Sequence, residues 1–209
     1  MMKFTKPLDQ ILNTETKIRI LRFLCRTNAQ WNGSQIAKEI KITPAATHTA
    51  LRTLQKEGIL TLRNMGKTHV YSLKEDSFLV SKLLKPLFTK EDNIPDIITA
   101  LIKRKISGSK LKKDILSVAL FGSVSASQER PTSDIDLIIV VESAKAKPVV
   151  ERLFGEVDER ISKEFGNTLS PYVNTRSEFK AKHKKGLAVV KNILKSYNLI
   201  YGERLETLI

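Results

Sequence analysis

Two apolar runs, Ile115–Phe121 and Ile135–Val141, are joined by a polar stretch that opens on Gly122-Ser123 and closes on Asp134-Ile135-Asp136. Each run has the length of a strand and the near-continuous apolar character of one buried on both faces. On a strand, residues i and i+2 share a face, so Asp134 and Asp136 project together from the start of the second run. Two ionised carboxylates held side by side repel each other, and a hard divalent cation such as Mg2+ relieves that repulsion. The neighbouring Gly122-Ser123 turn offers backbone N–H groups to a phosphate with no Cβ in the way. A cation site beside a phosphate cradle is equipment for attack on a nucleoside triphosphate.

Gly122-Ser123, ten intervening residues and then Asp134-Ile135-Asp136 resembles the signature of the minimal nucleotidyltransferases in the DNA polymerase beta superfamily. The resemblance extends to Ser133 and Leu137, and departs where the family's Arg-Gly is replaced by Ala126-Ser127. It implies that Asp134 and Asp136 are catalytic metal ligands, and that Gly122, Ser123 and Ser133 bind the nucleotide, with NTP as substrate or ligand. In such enzymes three carboxylates hold two Mg2+ ions, the third lying on the strand after a long helix. The corresponding stretch, Asn167 to Asn174, has no Asp or Glu; Glu164 precedes it and Glu178 follows it. Two readings therefore stand. The chain transfers a nucleotidyl group from Mg–NTP to an acceptor, or it is a transcription regulator whose catalytically impaired domain senses a nucleotide. Nucleotidyltransferases of this kind also occur in toxin–antitoxin systems.

The region ahead of this motif reads as helical. Asn13 or Thr14 caps a helix carrying Ile18, Leu21, Leu24 and Cys25, and Ser34 is the expected cap of a short one over Gln35–Ile40. Thr43-Pro44, a capping residue followed by proline at the first helical position, starts a third helix that ends at Gly58. Thr47, Ala50, Leu51 and Leu54 form its apolar stripe, leaving Ala45, Thr49, Arg52 and Lys56 opposite, with His48 beside them. Leu60–Arg63 and Thr68–Leu73 then pair as a hairpin across a glycine turn. Three helices and a hairpin resemble the winged helix-turn-helix of transcription regulators. That likeness makes Pro44–Glu57 the recognition helix in a DNA major groove, with Arg63 and Lys67 on the wing beside the phosphates. Trp31 and Tyr71 are expected to be packing residues.

Charge agrees with a polyanionic partner. The net charge is +14, and residues 1–90 hold 16 Lys and Arg against 6 Asp and Glu. The excess falls where double-stranded DNA would be met.

A further apolar stripe, Phe78, Leu79, Leu83, Leu84, Leu87 and Phe88, belongs to a helix bent near Pro86, which packs the domains together or pairs with its copy in a homodimer. The chain divides near Thr89–Asn93 into residues 1–90, a winged helix-turn-helix domain with a trailing helix, and residues 91–209, a nucleotidyltransferase-like domain. The expected fold is α+β: a winged helix-turn-helix followed by a mixed sheet covered by helices. Helices are expected over Asp96–Ile106 and about Pro148–Phe165, a short one after Gly122, a third strand near Thr168–Val173, and two helices between Ser177 and Gly202. The single cysteine, Cys25, forms no intrachain disulfide, and no apolar run reaches membrane-spanning length, so the expected location is the cytoplasm, with no membrane partner. His48, His69 and His183 show no ligand spacing, and no zinc site is expected.

Overall fold

A computed structural model describes residues 5–122 and 134–209. The chain forms two compact units, Met1–Ile94 and Pro95–Ile209.

The first unit begins with the short helix α1 (Leu8–Ile11) and α2 (Glu15–Thr27), where the Thr14 side chain accepts from the Lys17 N–H. Strand β1 (Trp31–Asn32) leads straight into α3 (Gly33–Ile40). The cap of α3 is Asn32, not Ser34: its side chain accepts from the Gln35 N–H while Gln35 reaches back to the Asn32 N–H. This reciprocal box satisfies two N–H groups that a serine two residues later would leave open. Helix α4 (Pro44–Lys56) starts at the expected Thr43 cap and buries Thr47, Ala50, Leu51 and Leu54. Strands β2 (Leu60–Met65) and β3 (Thr68–Leu73) form the wing, two residues longer on its first arm than the sequence suggests. Trp31 pairs with Tyr71 across β1 and β3, an addition that a two-residue strand does not announce.

The stripe after the wing splits. Leu79–Leu84 winds as a π-helix ahead of α5 (Lys85–Asp92), and Pro86, which has no N–H to donate, lies at the junction. Leu79, Leu84 and Phe88 enter the core of the first unit, whereas Phe78, Leu83 and Leu87 are exposed. Arg22 holds Glu91 through two bonds of 2.6 and 2.8 Å, and Arg26 pairs with Asp92, so the end of α5 is fastened to α2. Cys25, half-buried nearby, has its thiol pushed up to about 11, mainly by burial.

The second unit is a four-stranded sheet in the order β6-β5-β4-β7. Its strands are β4 (Ile115–Phe121), β5 (Ile135–Val141), β6 (Leu169–Thr175) and β7 (Asn198–Gly202). Strand β5 runs antiparallel to β4 and parallel to β6, which makes the sheet mixed as expected. One face packs against α6 (Ile94–Ser107) and α7 (Lys147–Phe165) through Ile102, Ile106, Phe154 and Ile161. The other is covered by α8 (Arg176–Lys184), α9 (Ala188–Lys195) and a final 3-10 turn, with Phe179, Val190, Ile193 and Leu205 buried there. The stretch expected to be two helices up to Gly202 therefore ends in a strand. Its Asn198-Leu-Ile-Tyr-Gly segment is too short for periodicity to separate strand from helix.

Gly202 fixes how β7 meets β4. Its φ is +81°, and a Cβ there would lie 1.9 Å from the Leu116 carbonyl oxygen. Gly202→Ala is expected to weaken the second unit by about 2–4 kcal/mol, combining left-handed backbone strain with a backbone clash. Urea unfolding of the wild type and the variant measures this.

Candidate functional site

The carboxylate pair sits where the apolar cover of β5 begins. Ile135 and every residue from Leu137 to Val141 are buried, whereas Asp136 is half-buried and Asp134, just ahead of the strand, is exposed. Asp136 lies opposite Phe121 on β4 and opposite Ser170 on β6. Burial raises the Asp136 carboxyl above its ordinary range, and the Asp134 charge raises it further. Among the described residues no lysine or arginine forms an ion pair with either aspartate.

Gly122 closes against this pair. Its φ is +76°, and a Cβ built on it would fall 2.3 Å from Asp136 Oδ2. Only a glycine lets the end of β4 approach the carboxylate this closely without displacing it. The structure thus brings Gly122, Asp134 and Asp136 to one end of the sheet. Ser123, Ser133, the Ala126-Ser127 departure and the short helix expected after Gly122 lie outside the described residues.

The donor set suits a hard cation: two carboxylates next to each other, oxygen ligands only, with like-charge repulsion for the ion to relieve. No group of three or more His, Cys, Asp or Glu side chains placed to hold a metal occurs among the described residues. On β6 the residue level with Asp136 is Ser170, exposed and uncharged at neutral pH. The acids flanking that strand are engaged elsewhere. Glu164 accepts from Arg160 at 2.7 Å. Glu178 follows the far end of β6, where it accepts from the Thr175 N–H at 2.9 Å and from Lys147 at 3.0 Å. Those two contacts hold its carboxyl below the ordinary range.

In the first unit, a cleft runs between α4 and the wing, lined by His48, Arg52, Lys56, Lys67 and His69 together with Asn32 and Ser34 at the start of α3. Ala45, Thr49, Arg52 and Lys56 are exposed along the outer side of α4, and Arg63 and Lys67 are exposed on the wing. His48 is half-buried, its ring lying over Gly33, where a Cβ would come within 2.5 Å of it. It joins the two helices of the helix-turn-helix as well as lining the cleft. His69, which pairs with Asn64 across the hairpin, lines the same cleft.

Residues 104–204 match the family model described as polymerase beta, nucleotidyltransferase, and residues 13–61 match that of a winged helix-turn-helix DNA-binding domain. A Methanocaldococcus jannaschii protein named "Putative protein adenylyltransferase MJ0435" is 32% identical over 79 residues, which span 36% of this chain and 85% of that protein. Among solved structures, HlyU of Vibrio cholerae is 17% identical with a TM-score of 0.35, covering 42% of this chain and 83% of that one. The homodimeric winged helix-turn-helix domain Mb0332 of Mycobacterium bovis is 19% identical with a TM-score of 0.34, covering 45% and 91%. No helix among the described residues is long and apolar enough to cross a membrane.

The contact between Gly122 and Asp136 yields a direct expectation. Gly122→Ala must push the carboxylate aside, and is expected to weaken Mn2+ binding by roughly tenfold or more, read by titration calorimetry.

Proposed function

Since the chain belongs to the polymerase beta nucleotidyltransferase family and carries a winged helix-turn-helix DNA-binding domain ahead of it, we propose that it binds Mg–NTP at Asp134 and Asp136 and transfers a nucleotidyl group to an acceptor. The observation that carries this is the carboxylate pair beside Gly122, with no described cation to neutralise it. A bound Mg2+ would supply charge neutralisation and Lewis acidity at the α-phosphate. Asp134 and Asp136 would hold the ion. Gly122 would keep the β4 end open for phosphate oxygens, and Ser123 and Ser133 would add donors from the connecting segment. The name of the archaeal relative makes ATP the first nucleotide to test.

Ser170 favours a second reading. An acceptor hydroxyl needs a base, and the position level with Asp136 on β6 supplies no carboxylate. With turnover impaired, the same site would bind nucleotide and report on it, the first unit acting as a DNA-binding regulator in the cytoplasm. In either case Ala45, His48, Thr49, Arg52 and Lys56 would meet the major groove, with Arg63 and Lys67 beside the phosphates. The exposed side chains of Phe78, Leu83 and Leu87 support a homodimer.

Incubation with labelled ATP, Mg2+ and a cell extract separates the two readings. Label transfer by the wild type, lost in both Asp134→Asn and Asp136→Asn, is the result expected of an enzyme. Mg2+-dependent nucleotide binding without transfer, accompanied by altered DNA affinity, would replace it with the sensor. Without metal, Asp136→Asn is also expected to raise the melting temperature at pH 7. A carboxyl whose folded pKa is raised contributes stability below its unfolded value, and that contribution is lost as pH rises through the folded one. For the DNA-binding surface, Arg52→Ala with Lys56→Ala should weaken binding and flatten its salt dependence in electrophoretic titrations; unchanged binding would remove α4 from the interface.

A further inference from the structure

The sheet topology brings a lysine-rich segment to the same end of the sheet as the carboxylates. Helix α8 starts directly after Thr175, at the end of β6 away from Ser170, and packs back along the sheet face. Its nine residues cover roughly 13 Å, and seven-residue β6 covers roughly 20 Å, so α8 returns over more than half the strand. Lys182 marks the level reached: its ammonium donates to Asn174 Oδ1 and to the Tyr172 hydroxyl, 2.9 Å from the latter and 4.6 Å from the centre of that ring, so it stands two to four residues from Ser170. Lys184 and Lys185 follow, closer still to the end that holds Asp136. Helix α9 must then deliver the chain to Asn198, which pairs with Leu120, next to Phe121 and Gly122. It therefore crosses the sheet from the β6 edge to the β7 edge, burying Val190 and Ile193 and leaving Lys191 exposed.

Asp136 shares a face with Ile138 and Val140, and these two residues pack beneath α8 and α9. Between Arg176 and Lys195 there are seven Lys or Arg and one acid, Glu178. Glu178 is held by Lys147 at the far end. Lys184, Lys185 and Lys191 make no ion pair with any described residue. The Lys191 ammonium lies beside Gly186, 3.2 Å from where a Cβ would stand, which places it at the α8–α9 turn that carries Lys184 and Lys185.

We propose that Lys184, Lys185 and Lys191 form a cationic lip that takes the polyphosphate of the bound nucleotide, and that the site holds a single divalent cation rather than two. Charge balance drives the arrangement. Two carboxylates are neutralised by one divalent ion, and the triphosphate brings roughly four more negative charges at neutral pH. With Ser170 in place of an acid, no third carboxylate among the described residues is placed to anchor a second ion, and the ammonium groups take over its share of the neutralisation. This rests on the nucleotide-binding part of the proposed function and holds for both the enzyme and the sensor.

Full-length protein is titrated calorimetrically with Mn2+ alone, then with a nonhydrolysable α,β-methylene ATP analogue at saturating Mn2+, with bound Mn2+ counted by electron paramagnetic resonance. Wild type is expected to hold one Mn2+ per chain in the ternary complex. The triple variant Lys184→Ala, Lys185→Ala, Lys191→Ala is expected to lose roughly tenfold or more in analogue affinity and most of its salt dependence. Its affinity for Mn2+ alone should not fall, its melting curve should be unchanged, and the corresponding triple arginine variant should restore binding. Two Mn2+ per chain, or wild-type analogue affinity in the triple alanine variant, would overturn the proposal while leaving the nucleotide site standing. Absence of analogue binding by the wild type, or equal binding by Asp134→Asn, would overturn the nucleotide reading and this proposal with it.

Discussion

The second unit depends on the complete burial of β5 between β4 and β6. Leu137, Ile138, Ile139, Val140 and Val141 are all fully buried, because helices cover both faces of the sheet and strands flank both edges of β5. At roughly 1.5–3 kcal/mol for each large apolar side chain removed from water, this strand alone contributes a large share of the driving force for folding. Its register also leaves no freedom. A one-residue slip would exchange the faces of every side chain and carry Asp136 to the other side of the sheet. The position of the carboxylate pair is thus a consequence of core packing. Asp136 stands at the last point where a carboxylate can reach solvent before the apolar cover closes.

Electrostatics at that end run against stability in the absence of a ligand. Burial and Asp134 both raise the Asp136 carboxyl. Gly122 gives up the conformational economy of a side chain to lie against it. Strained and repelling groups of this kind persist where binding relieves them. The first unit shows the same logic in milder form. The cationic side chains along α4 and the wing are exposed, whereas Arg22 and Arg26, on the opposite business of fastening α5 to α2, are paired with Glu91 and Asp92.

Much of this was legible from the residues. Thr43-Pro44 marks the start of α4 because capping chemistry and the fixed φ of proline agree, and the Thr47-Ala50-Leu51-Leu54 stripe gives its buried face. The two central strands are evident because apolar runs of that length bounded by Gly-Ser and Asp-Ile-Asp have few alternatives. What escaped depends on partners remote in sequence. The cap of α3 fell to Asn32 because β1, which exists only by pairing with β3, brings the chain in two residues earlier. The π-helix needs the knowledge that α5 continues past Pro86 on the first unit's core. Strand β7 forms because Gly202 can lie against the Leu116 carbonyl, a contact between residues far apart in sequence.

The central claim, that Asp134 and Asp136 hold a divalent cation for a nucleotide, is tested most directly by anomalous diffraction at the manganese edge. Crystals grown with Mn2+ and a nonhydrolysable ATP analogue should show a peak bridging the two carboxylates, with a phosphate oxygen of the analogue in its coordination shell. Nucleotide density with no manganese peak at Asp134 and Asp136, or a peak held by other residues alone, would contradict the account.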